Sequence, residues 1–96
     1  MSIFRLADAA RRDLEDIWDY IAEDNPSAAD AFIAFLVDKF QLLAGEPEIG
    51  RERSEIRSGL RSLPVKKYVI FYRVTGNMIE VARVLSGYRD IPTVFQ

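Results

Sequence analysis

The sequence predicts an α+β domain in two layers: an N-terminal strand, a helical hairpin, then a three-stranded antiparallel meander. Three observations carry this. Apolar residues recur at helical spacing through the first half of the chain, they alternate at spacing two after residue 56, and Gly76-Asn77 sits between two strand-like runs. With 96 residues, the chain holds one modest core, because a domain of this size buries roughly 60–65% of its unfolded surface. Residues 1–96 are therefore read as a single domain.

Ile3-Phe4-Arg5-Leu6 is short, apolar and bounded by Ala7-Asp8, and reads as the first strand. From Asp8 the period changes. Ala10, Leu14, Ile17, Trp18 and Ile21 fall on one helical face, with Asp8 as the expected N-cap and Trp18 as the expected anchor in the core. Asn25-Pro26 ends this helix near Glu23 or Asp24, since proline disfavours helical backbone in the residue before it. The same pair starts a second helix, Asn25 capping and Pro26 at the first position, where a missing N–H costs nothing. Ala29, Phe32, Ile33, Leu36, Phe40 and Leu43 form its stripe, and Gly45 with Pro47 closes it. Phe35, Val37 and Leu42 lie off that stripe, so this helix is apolar on more than one face and offers surface to a second element or a partner.

Glu46 to Glu55 is polar and reads as a loop. A strand is expected from Arg57 to Leu63, ended by Pro64. Another runs from Lys66 to Val74, rich in aromatic and β-branched residues. Gly76-Asn77 supplies a two-residue turn, glycine taking positive φ freely, and the chain returns from Asn77 or Met78 to Leu85. Gly87 then opens a tail that contains Pro92.

Both faces of the central strand are apolar or aromatic. One parity holds Tyr68, Ile70, Tyr72 and Val74, and the other Lys67, Val69, Phe71 and Arg73. Two helices cover only one face of a small sheet. The second face needs either a partner chain or the tail residues Ile91, Val94 and Phe95 folded back over it.

Composition narrows the chemistry. There is no cysteine and no histidine, which excludes disulfides and thiolate chemistry and removes the commonest general base and metal ligand. No metal or other cofactor is expected. The N-terminus opens Met1-Ser2-Ile3-Phe4-Arg5 without a signal-type stretch. No apolar run approaches the ~18–20 residues that span a bilayer, so a cytoplasmic protein without a membrane partner is expected. The net charge of −2 hides a division. Residues 1–50 carry four basic and eleven acidic residues, and residues 51–96 carry nine basic and four acidic. Such asymmetry serves either internal neutralisation or a basic surface for an acidic partner.

The run Gly59-Leu60-Arg61-Ser62-Leu63, then Tyr68-Val69-Ile70-Phe71-Tyr72-Arg73-Val74, Ile79, Arg83-Val84-Leu85, Gly87 and Arg89-Asp90 resembles the ParE branch of the RelE/ParE toxin superfamily. Asp13-Leu14-Glu15-Asp16-Ile17-Trp18-Asp19-Tyr20-Ile21-Ala22 is similar to that family's first helix, and Pro47 with Gly50 to its loop. The likeness runs from about Phe4 to Asp90. It implies the RelE/ParE-like fold and a toxin of a type II toxin–antitoxin pair. In that family the antitoxin wraps its C-terminal segment around the toxin in a hetero-oligomer, and several members poison DNA gyrase by binding rather than catalysis. Ser86 departs from the histidine that relatives often carry after the Arg-Val-Leu run, so no role depending on that histidine is carried over.

The residues expected to meet the target, gyrase with or without its DNA, are Arg61, Lys67, Arg73, Arg83, Tyr88 and Arg89. Those expected to meet antitoxin are Phe35, Leu42, Tyr68, Ile70 and Tyr72. Arg83 is also read as one member of an internal ion pair, because an arginine on an otherwise apolar strand face calls for a carboxylate or phosphate. Two other functions share the fold. A RelE-like ribosome-dependent mRNA endonuclease needs a base for the 2′-hydroxyl and cations for the phosphate. Here Glu80, Lys66, Lys67 or Tyr88 would have to supply the base, and Arg61, Arg73, Arg83 and Arg89 the cations. The pI near 5.1 is the wrong sign for a protein that docks on ribosomal RNA. The remaining alternative is an inactive toxin-like binding module.

Overall fold

The computed structural model describes residues 3–87 and 94–95. Its elements are β1 (Phe4–Leu6), α1 (Asp8–Ala22), α2 (Pro26–Gly45), β2 (Arg51–Glu52), β3 (Leu60–Val65), β4 (Tyr68–Thr75) and β5 (Met78–Ser86). The strands form one mixed sheet in the order β1-β5-β4-β3-β2. β1 runs parallel to β5, with Phe4 beside Ile79 and Leu6 beside Val81, and every other pairing is antiparallel. Among the described residues no helix is long and apolar enough to cross a membrane.

The local signals act largely as read. The Asn25 side chain accepts the Ala28 N–H at 3.1 Å, and Pro26 takes the first helical position. Gly76, with a φ of 63°, turns the β4–β5 hairpin so that Thr75 faces Met78. Four readings change. Asp8 does not cap α1, because Ala7 holds the N-cap position and no side chain caps the end; Asp8 instead places an anion in the first turn, where the helix dipole favours it. Trp18 is 36% exposed rather than a core anchor, and its indole N–H reaches across the hairpin to the Asp30 carboxylate at 2.8 Å. Arg51–Glu52 of the expected loop forms a short edge strand on β3. Pro64 lies inside β3 instead of ending it. β2 pairs only with Arg61 and Ser62, so at Pro64 the outer side of β3 is an open edge and the missing N–H breaks no ladder bond.

The helices cover one face of the sheet. Ala10, Leu14, Ile17, Leu36, Phe40 and Leu43 pack on Val65, Ile70, Tyr72, Ile79, Val81 and Val84. The opposite face has its own small core of Leu60, Phe71, Ala82, Leu85 and Phe95, with Ile56 and Val94 against it. Phe95 meets Phe71 edge-on at 5.0 Å, and the Arg57 guanidinium donates to the Phe95 carbonyl at 2.7 Å. The second apolar face is thus closed by the chain itself, through residues 94–95 and the turn around Ile56. It does not require a partner. Ile91, also expected there, lies outside the described residues.

Both faces draw on β5, and an irregularity decides which residues serve each. Phe71 pairs with Arg83 and Tyr72 with Val81, leaving Ala82 without a partner. This one-residue bulge lets Val84 face the helices while Leu85 faces the other core. Asp13 of α1 fills the irregularity. Its carboxylate accepts the Arg83 Nε–H at 2.8 Å, a second guanidinium N–H at 2.9 Å and the buried Val84 N–H at 2.9 Å. Arg83 is held protonated above its ordinary range by this bond, with burial opposing it. Replacing Asp13 by Ala leaves a guanidinium and a buried N–H without an acceptor, and should cost about 3 kcal/mol or more in urea unfolding.

Tyr72 fixes the chain leaving α2. Its buried hydroxyl donates to the Pro47 carbonyl at 2.7 Å and accepts the Gly50 N–H at 2.9 Å. A Cβ on Gly50 would overlap the Tyr72 hydroxyl and ring. Tyr72→Phe should therefore cost about 1–3 kcal/mol, as the buried Gly50 N–H and the part-buried Pro47 carbonyl lose their partner. Gly50→Ala should cost a similar amount through overpacking. If both variants unfold at the same urea midpoint as the parent chain, this contact does not hold the loop.

Candidate functional site

α2 carries more apolar surface than one sheet can bury, and the surplus lines a groove. Phe35, Lys39 and Leu42 of α2 face Leu63, Pro64 and Val65 of β3, with Ile49 at one end and Lys66 at the other, around a volume of about 320 Å³. Leu42 and Ile49 are each 44% exposed. The loop that carries Ile49 is the one pinned by Tyr72, so this wall of the groove is held by the core. Two ammonium groups flank the Phe35 ring, Lys39 at 4.9 Å and Lys66 at 5.4 Å from its centre. Lys66 is placed there by the β3–β4 turn, where it adopts a φ of 56°. No glycine or asparagine marks that turn, and a lysine in left-handed backbone costs about 1 kcal/mol.

Beyond Lys66 a second hollow of about 240 Å³ is lined by Tyr20, Ile21, Phe32, Lys67 and Tyr68. Phe32 links the two, its ring 6.2 Å from Phe35 and 5.6 Å from Tyr68. Burial, and then the neighbouring Tyr20, pushes the Tyr68 hydroxyl above its ordinary pKa. The two hollows form an apolar track along one side of the helical hairpin, with Lys39, Lys66 and Lys67 on its rim.

Of the residues expected to meet antitoxin, Phe35, Leu42 and Tyr68 line this track. Ile70 and Tyr72 are a correction. Both are fully buried beneath the helices and offer no surface to a partner. Ile49, Leu63, Pro64, Lys39 and Phe32 were not singled out from sequence. An isoleucine in an otherwise polar loop was the available signal for Ile49.

The basic residues do not converge. Arg61 donates to the Gly50 carbonyl at 2.7 Å and lies 3.8 Å from Glu52. Arg73 donates to Glu80 at 2.9 Å on the other face of the sheet, where Arg5 grips the second Glu80 oxygen at 2.9–3.0 Å. Arg83 is committed to Asp13. Lys67 is exposed on the β3–β4 turn. Tyr88 and Arg89 lie outside the described residues.

The ParE toxin family model, described as ParE toxin of the parDE type II toxin–antitoxin system, matches residues 4–91. The chain belongs to the ParE toxin family. Toxin ParE1 of Mycobacterium tuberculosis is 37% identical to it over 92 residues, 94% of each chain. Toxin ParE3 of Caulobacter vibrioides is 33% identical over 80 residues, covering 82% of this chain and 80% of its own. Toxin RelE3 of the same organism is 32% identical over 85 residues, covering 88% and 92%. Among solved structures, the chromosomal ParDE toxin–antitoxin system of P. aeruginosa superposes with a TM-score of 0.75 at 24% identity, over 90% of this chain and 96% of that one. The RelBE2 toxin–antitoxin complex of M. tuberculosis gives 0.59, again at 24% identity, over 88% and 96%. The ParE/RelE toxin fold expected from sequence is therefore the one observed, extended by the short edge strand β2, with the expected N-terminal strand joining the sheet parallel to β5.

Glu80 gives this ParE-family chain a testable acid response. The Arg73 hydrogen bond, first among the causes, holds the Glu80 carboxyl below its ordinary pKa against the opposing effect of burial, with Arg5 assisting. A depressed carboxylate stabilises the fold fully above its unfolded pKa of about 4.3 and loses that contribution as pH falls through the lowered folded value. The stability gap between the parent chain and Glu80→Gln should narrow below about pH 4. A gap that stays constant down to that acidity would show that the pair contributes nothing through its charge.

Proposed function

We propose that this ParE-family toxin is neutralised by a cognate antitoxin laid along the α2–β3 groove, and that its target is DNA gyrase, blocked by binding and not by catalysis. The observation that carries the antitoxin half is the track itself. It is apolar at its base, pinned at the Ile49 end by Tyr72 and rimmed by lysines, which suits an amphipathic segment with acidic flanks. That the structural neighbours are ParDE and RelBE systems supports an antitoxin as the occupant.

The gyrase half rests on family membership, and the charged groups favour binding over RNA cleavage. Glu80 is the carboxylate expected to serve as the base, yet two arginines depress its pKa, which makes it a weak proton acceptor at neutral pH. Arg61, Arg73 and Arg83 hold separate internal partners and do not surround one phosphate position.

Two measurements test the halves separately. Leu42→Glu should weaken binding of the antitoxin encoded beside the toxin by ~10-fold or more, as expected for a charge placed in an apolar contact. An unchanged Kd would move the antitoxin elsewhere. Toxin freed of antitoxin should cause gyrase to accumulate linear, protein-linked DNA, and added antitoxin should reverse it. Intact DNA alongside cut messenger RNA in a ribosome assay would replace the gyrase reading with the endonuclease.

A further inference from the structure

The face of the sheet turned away from the helices carries a line of arginines that lies outside the antitoxin groove. Arg5, Glu80 and Arg73 are direct cross-strand neighbours on β1, β5 and β4. Leu60 of β3 continues the row beside Arg73, and Arg53 donates its backbone N–H to the Leu60 carbonyl at 2.8 Å. At about 4.8 Å per strand, Arg5, Arg73 and Arg53 are set roughly 10 Å apart along a line crossing the sheet. The Arg53 guanidinium lies over the Phe71 ring, Arg57 is anchored on the Phe95 carbonyl, and Arg51 shares this face by its register with Ser62. Only Glu55 and Glu80 oppose these five arginines among the described residues placed on this face.

We propose that this arginine face binds the phosphate backbone of duplex DNA. The apolar side chains at the centre of this face are buried, with Ile56, Val94 and Phe95 packed there, so its middle presents charge, and Ile3 is exposed only at the β1 edge. That is the opposite of a protein interface, whose centre is apolar and poor in charge, and it matches backbone recognition of nucleic acid. The cations are arginines, whose planar forks fit phosphate oxygens. Among the described residues no exposed aromatic stands beside them to stack an unpaired base, which favours a duplex over a single strand. Glu80 already offers both neighbouring guanidiniums an anion with two oxygens, and so holds them in the orientation a phosphate would meet. Arg5 and Arg73 keep 59% and 38% of their side chains exposed.

The proposal is independent of gyrase as target. Its test is fluorescence anisotropy of the full chain with a short labelled DNA duplex across a salt series. With three or four phosphates contacted, log K should fall against log salt with a slope of about −3. Arg5→Gln and Arg73→Gln should each weaken binding severalfold and flatten the slope by about 0.9. Glu80→Gln should tighten it severalfold, a gain that loss of folding cannot imitate. Absence of binding at low salt, a slope unaltered by the arginine changes, weaker binding by Glu80→Gln, or tighter binding of an unpaired RNA strand would each overturn the assignment. Duplex binding with the predicted slope but no effect on gyrase would sink the gyrase reading and leave this one standing.

Discussion

The structure depends on one carboxylate. Asp13 is one of two polar side chains buried among the described residues, and it sits where α1 crosses the irregular stretch of β5. By bonding the Arg83 guanidinium and the Val84 N–H together, it compensates for the ladder interrupted at Ala82 and fixes the register of α1 on the sheet. A regular strand would send Val81, Arg83 and Leu85 to the same side. The bulge instead sends Val84 to the helices with Val81, and Leu85 to the outer core with Ala82, so that each layer receives its apolar residues from β5. A chain of 96 residues has too little surface to cover a sheet twice with helices, and this arrangement lets a short turn and residues 94–95 close the second side.

That economy divides the surface. The helix side keeps the apolar surplus of α2 and places it against β3, with the loop wall braced by Tyr72. The outer side, its apolar residues covered, is left with arginines and two glutamates. The charge asymmetry of the sequence is thereby resolved in space. Part is neutralised internally through Asp13–Arg83 and Glu80 with its two arginines, while other cations rim the groove or stand on the outer face. In this account the antitoxin and duplex DNA are proposed to meet different sides of the sheet.

Much of the fold was legible because its signals are local. Asn25-Pro26 caps and starts a helix, and Gly76-Asn77 turns a hairpin, through chemistry within a few residues of each. What failed to show depends on distant partners. Trp18 fits the apolar stripe of α1, yet Asp30 on the next helix draws its indole N–H outward. Pro64 breaks strands in general, but not where the neighbouring strand has already ended. The turn at Lys66 carries no glycine to announce it. The same divide runs through the site. Phe35 and Leu42 stand off the stripe of α2 and could be picked out on that ground. Ile70 and Tyr72 looked equally eligible, because alternation tells which residues share a face and not which face the helices take.

Hydrogen–deuterium exchange of the toxin with and without its antitoxin tests the central claim that the two faces have separate partners. Protection should appear in the second half of α2, in residues 47–50 and along β3, and leave β1 and the outer turn at residues 53–57 exchanging as before. Protection concentrated on β1 and residues 53–57, with α2 unchanged, would contradict it.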